Sequence, residues 1–244
     1  MVASANTIIA LSGPYTKYGY LLASKCAEQG VNYVDLSGEF FYQRKLIDEI
    51  EETAAKTGAK IVVAGGYDSA PFDLSSTIAV SNLPPAKSSS SLTTVVAITE
   101  MMHGYLSGGT LASMIVGVGD SIRESLYGKG ATYANDPYIL TPNMEDCERI
   151  DTDPTGWGNI PRYDSTVSSW GVPHFMAYVN SRIVRRSMSM LGVARVSYSE
   201  GMGIWSILDA WAWCVPRWVG GEFKLAPNPG EGPSEKLMKE GGYR

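Results

Sequence analysis

The stretch Gly65-Gly66-Tyr67-Asp68-Ser69-Ala70-Pro71-Phe72-Asp73 constrains this chain most. It follows Lys60-Ile61-Val62-Val63-Ala64, a short run rich in β-branched residues that reads as a buried strand. It leads into a helix-like segment, with Pro71 in the first turn and Asp73 placed for its positive end. Glycines at a strand exit let the backbone come close to a ligand. Polar side chains there line the carboxyl edge of the sheet, where open α/β sheets bind ligands. Two earlier exits repeat the arrangement: Ser12-Gly13-Pro14-Tyr15 after residues 6–11, and Asp35-Leu36-Ser37-Gly38-Glu39 after residues 31–34. Three such exits in one short stretch point to half of a nucleotide-binding domain.

The surrounding pattern agrees. Strands are expected at 7–12, 31–36 and 60–64, and helices near 17–29, 40–57 and 72–80. In the second helix Leu46, Ile47, Ile50 and Ala54 fall at helical spacing, with the charges of residues 44–52 mostly on other faces. Strand–helix–strand order with short connections predicts a parallel sheet, so the fold class is α/β. Pro84-Pro85-Ala86-Lys87 followed by four serines reads as a linker over 84–91, between a first domain at 1–83 and a second, α+β domain at 92–244. In the second domain a strand is expected at 92–99 and a helix opening at 111–118. Residues 127–175 read as an irregular covering segment. Residues 203–218 carry four of the six tryptophans with a helical apolar face. They suit a helix buried in the second domain, or an apolar wall for a ligand or membrane surface.

Composition excludes several classes. A content of 44% hydrophobic and 18% charged residues is that of a folded globular protein. The net charge is −5 and no basic stripe is present, so nucleic acid is not an expected partner. Cys26, Cys147 and Cys214 are odd in number and lack Cys-x-x-Cys spacing, which suits free thiols in an intracellular, reducing compartment. His103 and His174 are the only histidines, and no metal site is expected. Residues 1–12 lack the pattern of a signal peptide, and no window reaches about 18 uninterrupted apolar residues. The cytoplasm is the expected location, with the tryptophan-rich segment as the feature that would suit a membrane or lipid-droplet surface.

Several segments carry a family resemblance. They are Ser12-Gly13-Pro14-Tyr15 with Tyr18-Gly19, residues 31–39, residues 65–74, Ser107-Gly108-Gly109-Thr110 with Ser113, Val184-Arg185-Arg186-Ser187, and Pro229-Gly230-Glu231-Gly232-Pro233-Ser234. In this order they resemble the saccharopine dehydrogenase-like oxidoreductases, a group that includes the trans-acting enoyl reductases. The resemblance implies the second half of a Rossmann-like sheet, NADP or NAD as cofactor, and a small-molecule or lipid-like enoyl or carbonyl substrate. It also implies that Gly13, Pro14 and Tyr15 lie beside the nicotinamide. Family members open with a Gly-x-x-Gly-x-x-Gly turn, and this chain has none. The expectation is therefore a central piece of a longer protein that by itself binds NAD(P)H weakly or not at all. The rival expectation is a non-catalytic binding or membrane-associated homologue.

Individual residues carry alternatives. Asp35, Gly38 and Glu39 are candidates for cofactor contact, although Glu39 also suits the cap of the next helix. Asp68 and Ser69 are the catalytic candidates: a carboxylate and a hydroxyl at the cleft can orient a substrate or move a proton. The same pair suits a simple Asp-stabilised turn. Ser107, Gly108, Gly109 and Thr110 are candidates for binding substrate through backbone amides, or form a chain reversal capped by Thr110. Arg186, beside Arg185, suits an acidic group on the substrate or a structural role. Both histidines read as structural. The strand at 7–12 is expected at a sheet edge, which makes self-association an expectation as well.

Overall fold

The computed structural model describes residues 2–84, 91–100, 102–103, 113, 115, 119, 136–142, 149–150, 160–193, 195–203 and 242–243. The first part follows the expected alternation: β1 (Thr7–Ala10), α1 (Tyr15–Gln29), β2 (Asn32–Asp35), α2 (Phe40–Thr57), β3 (Ile61–Val62) and α3 (Ala70–Ser81). The strands form a parallel sheet in the order β1-β2-β3, with Ile9 opposite Val34 and Val34 opposite Val62. The fold is α/β, as the alternation predicts.

Local chemistry explains the element ends. α1 stops at Gly30 and α2 at Gly58, whose φ angles of 71° and 79° are the left-handed turn that ends a helix. β3 is shorter than expected because Ala64 also turns left-handed, at φ 53°, and an extended strand cannot pass through that conformation. Alternate strand residues Ile8, Ala10, Tyr33 and Ile61 join Ala23, Cys26 and Ala27 of α1 and Leu46, Ile50 and Ala54 of α2 in one core. The opposite sheet face carries Ile9, 67% exposed, and Val62, 46% exposed.

The second part contains β4 (Thr93–Thr99), β5 (Met102–His103), β6 (Arg162–Asp164), β7 (Ser169–Pro173), α4 (Ala177–Met190), β8 (Val196–Gly203) and β9 (Gly242–Tyr243). Its main sheet runs β4-β8-β7-β6, with β8 parallel to β4 and antiparallel to β7. β5 and β9 pair separately. The hairpin of β6 and β7 corrects the irregular reading of 127–175. Its register sets Tyr163 opposite Trp170, ring centroids 5.9 Å apart, and such cross-strand pairs are invisible to a periodicity search. Ser113, Ile115 and Gly119 are helical, near the expected start. Residues 204–218, Cys147 and Cys214 lie outside the described residues.

α3 packs against α4 and β4, with Val80 beside the core of Val184, Met188, Val196 and Tyr198. The last helix before the expected linker therefore belongs to the packing of the second sheet. Arginines tie the segment 136–142 down. Arg44 Nη1 donates to the Ile139 carbonyl at 3.0 Å, Arg182 Nε to Asp136 at 3.1 Å and Arg186 Nη1 to Leu140 at 2.7 Å. Arg182 is wholly buried between the rings of Phe40 and Tyr178, 4.4 and 4.0 Å from their centroids. Desolvation brings its pKa down to about 10, so it stays charged at neutral pH.

Candidate functional site

Two polar clusters form at the carboxyl end of the parallel sheet. The first is organised by Asp35, the last residue of β2. Its Oδ1 accepts from the Ser37 amide at 3.0 Å, the Ser37 hydroxyl at 2.8 Å and the Ala64 amide at 3.1 Å. Its Oδ2 accepts from the Tyr33 hydroxyl at 3.0 Å, which in turn lies 3.2 Å from the Tyr42 hydroxyl. One buried carboxylate thus joins the exits of β2 and β3.

Glu39 lies beside it at the start of α2. Both its oxygens accept from the Tyr15 amide, at 3.1 and 2.9 Å, so Glu39 fills the positive end of α1. The Thr16 amide and the Ser113 hydroxyl also donate to it, yet burial outweighs these donors and pushes its pKa up to about 7. Tyr15 is buried and donates its hydroxyl to the Ala10 carbonyl at 2.9 Å. Gly13 faces Ser113: a Cβ at Gly13 would stand 2.9 Å from the serine oxygen. Pro14 sits at the cap position of α1. Gly38 approaches the second part of the molecule, where a Cβ would lie 3.6 Å from Met176 Cε. Tyr15, Asp35 and Glu39 therefore have their polar groups engaged within the chain.

The second cluster stands where α3, α4, the end of β7 and β8 meet. Asp68 is half-buried, and burial raises its pKa while the neighbouring His174 charge opposes the shift. Ser69 is buried at the cap position of α3 and makes no side-chain cap bond. His174 follows β7 and is flanked by the rings of Phe72 and Phe175, with centroids 5.1 and 4.6 Å away. Its Nδ1 lies 2.6 Å from Glu200 Oε1 and 3.2 Å from the Met176 amide nitrogen. One ring nitrogen cannot both donate and accept, and a carboxylate at the shorter distance requires a hydrogen between them. Nδ1 therefore donates to Glu200, and the Met176 amide is a secondary approach. Asn180 Nδ2 donates to the Asp68 carbonyl at 2.8 Å and to Glu200 Oε1 at 3.0 Å. The Tyr198 hydroxyl donates to Glu200 Oε2 at 2.9 Å.

Sequence reasoning placed Asp68 and Ser69 in this region and missed His174, Glu200 and Asn180. One signal was present: Tyr198 and Glu200, two residues apart on a strand, project to the same face. Arg186 is held elsewhere, with Nη2 3.0 Å from Glu51 Oε1 and Nη1 on Leu140, so its donors are engaged within the chain. Ser107, Gly108, Gly109 and Thr110 lie outside the described residues.

The start of α1 does not fit the diphosphate of a dinucleotide. Such a group needs open amides at a helix start. Glu39 fills the start of α1, and Asp73 stands in the first turn of α3. Among the described residues no helix is long and apolar enough to cross a membrane.

No family model matches the chain, and no solved structure does. Curated proteins do match it. A Mycobacterium tuberculosis protein, provisionally named as a trans-acting enoyl reductase, is 32% identical over 267 aligned residues, covering 100% of this chain and 63% of that relative. The trans-acting enoyl reductase of Mycobacterium bovis BCG is 28% identical over the same extent of both chains. That of Mycobacterium leprae is 27% identical over 271 residues. Over its whole length, the chain is similar to trans-acting enoyl reductases. It spans 63% of the length of these relatives.

Proposed function

We propose that this chain forms the substrate side of an NAD(P)-linked enoyl reductase of the saccharopine dehydrogenase-like type. Its substrate is a lipid-like molecule with a carbon–carbon double bond beside a carbonyl, and Asp68 is the proton donor. Similarity along the whole chain supports the reaction class. The observation that carries the residue assignment is the half-buried Asp68 carboxyl at the exit of β3, beside His174.

Reducing an enoyl double bond takes a hydride and a proton, and the resemblance implies NADP or NAD for the first. The described residues bear on the second. A carboxyl group whose pKa is raised by burial holds its proton closer to neutrality than a solvated one, which suits it to protonate carbon next to the carbonyl. Ser69 is buried beside it, and its backbone carbonyl accepts from the Phe72 and Asp73 amides at the start of α3.

The test is NADPH oxidation with an enoyl thioester, followed by absorbance, for the wild type and Asp68→Asn. Turnover should fall about 100-fold or more, the usual scale of general acid catalysis, with an unchanged melting temperature. Unchanged turnover would remove Asp68 from the chemistry. The second reading, a homologue without cofactor binding, is favoured by Glu39 filling the start of α1. It expects NADPH fluorescence to show no saturation at low-micromolar protein, and saturable binding there would exclude it.

A further inference from the structure

We propose that residues 136–142 are a strap that locks the two main sheets at one angle. The cleft at the carboxyl edge of the parallel sheet is then preset and does not close by hinge motion. This inference does not rest on the enoyl-reductase reading. The strap, Asp136-Pro137-Tyr138-Ile139-Leu140-Thr141-Pro142, is buried from Asp136 to Thr141. It touches both α2, which follows β2 of the parallel sheet, and α4, which joins β7 to β8 of the second sheet. Ile139 is 0% exposed and Leu140 2%. They share one apolar cluster with Phe40, Phe41 and Ile47 of α2 and with Tyr178 and Ile183 of α4.

The strap belongs to no helix or strand, so its buried carbonyls need other donors. Arginines of both helices supply them. Arg44 of α2 donates through Nη1 to the Ile139 carbonyl at 3.0 Å and to that of Thr141 at 3.4 Å. From α4, Arg182 Nε donates to the Asp136 carbonyl at 3.1 Å and Arg186 Nη1 to that of Leu140 at 2.7 Å. The Tyr138 carbonyl is satisfied within the strap, by the Thr141 amide at 2.9 Å and its hydroxyl at 2.7 Å. Tyr178, Arg182 and Arg186 recur every fourth residue and so share one face of α4. That face also meets α2 directly, with the Tyr178 ring 5.4 Å from Phe40 and Arg186 Nη2 3.0 Å from Glu51 Oε1. A guanidinium carries several donors in one plane, which lets Arg186 serve the strap and α2 at once.

A hinge between the sheets would have to part α2 from α4. Such opening exposes Ile139 and Leu140 and takes the donors away from buried carbonyls, and both changes are unfavourable. Pro137 and Pro142 bracket the strap, and their fixed φ limits the entropy it could gain on release. α4 also holds the parallel sheet at a second point, where Asn180 Nδ2 donates to the Asp68 carbonyl at 2.8 Å. A ligand therefore enters a cleft of fixed width, and only loop movements are left to accommodate it.

The test measures the distance between nitroxide labels by pulsed electron paramagnetic resonance. The labels sit at two exposed sites, Glu52→Cys on α2 and Thr166→Cys in the turn between β6 and β7. Cys147→Ser and Cys214→Ser remove two other thiols, and Cys26 stays because it is 0% exposed. With the strap intact the chain should give one narrow distance distribution. Arg44→Met with Arg186→Met keeps apolar stems and removes the donors. The distribution should then widen about twofold, as two packed bodies begin to move. Hydrogen exchange at the Tyr138 and Thr141 amides should speed about tenfold in the same variant, which shows the strap itself released. Both changes together support the proposal. A broad distribution with the arginines in place, or either change without the other, overturns it. Neither change in the double variant overturns it as well. Glu51→Gln removes the ion pair and leaves the Arg186–Leu140 bond, so its distribution should stay narrow. A doubled width there assigns the hold to the ion pair and also overturns the strap. Should the double variant fail to fold, Arg186→Met alone decides by the same two readings.

Discussion

The Asp35 carboxylate accepts a hydrogen bond from the Ala64 amide at 3.1 Å, so the residue that ends β2 also holds the left-handed step that ends β3. The Gly65 amide adds a bond to the Asp35 carbonyl at 2.7 Å. The two strand exits are therefore one unit, and the direction in which Asp68 leaves the sheet is set from β2.

Ala64 sits at φ 53°, a conformation that costs a side chain about 1–2 kcal/mol. Glycine removes that strain but loses about 0.5–1 kcal/mol to the unfolded chain. Ala64→Gly should thus change stability by no more than about 1 kcal/mol, towards gain, while Ala64→Val should lose more than about 2 kcal/mol. Urea unfolding of the three proteins checks the order. A Val variant as stable as the wild type would show that the step is not left-handed in solution.

Glu39 gives the fold a pH dependence. Its pKa rises from 4.5 to about 7 in the folded state, chiefly by burial, so the folded protein binds the proton more tightly than the unfolded chain. Its contribution is fully present below about pH 4.5 and is lost as pH rises through about 7. Asp68 and Asp73, also raised by burial, act in the same direction. Glu39→Gln should remove the Glu39 share, on the order of 3 kcal/mol across that window. The measurement is the difference between wild-type and variant unfolding free energies at pH 5 and pH 8. Parallel pH profiles would place Glu39 in solvent contact.

Gly19 lies against Tyr42, where an added Cβ would stand 2.7 Å from the hydroxyl oxygen and 2.9 Å from Cζ. The ring cannot easily withdraw, because its hydroxyl lies 3.2 Å from that of Tyr33 inside the core. Gly19→Ala should cost about 1–3 kcal/mol by overpacking. Adding Tyr42→Phe should recover part of that loss, since it removes the nearest atom. A double-mutant cycle measures this coupling, and strictly additive effects would count against the contact.

The strand β1 is an edge of the parallel sheet among the described residues, and Ile9 on its uncovered face is 67% exposed. Exposed apolar edges pair with other chains. The wild type should self-associate at high concentration. Ile9→Lys should reduce association and change stability by less than about 0.5 kcal/mol, as expected for an exposed site. Light scattering coupled to size exclusion reads both proteins. A wild type that stays monomeric would mean the edge is protected.

The strand–helix alternation of residues 1–83, the helix ends at Gly30 and Gly58, and the place of Asp68 at a strand exit were legible in the amino-acid sequence. Each depends on a few consecutive residues: the spacing of apolar side chains, a glycine that tolerates positive φ, a β-branched run. Tertiary structure decided the rest. Asp35 and Glu39 look alike as cleft carboxylates in sequence. Only packing turns one towards Ala64 and the other onto the start of α1. Arg186 looks like a ligand for an acidic group until the fold brings it to Glu51, 135 residues away. His174 reads as a lone histidine because Glu200 reaches it only after β8 inserts between β4 and β7. Asn180 and Asp68, 112 residues apart, meet for the same reason. Short-range sterics write themselves into neighbouring residues, whereas the pairing of buried polar groups is set by which surfaces close over them.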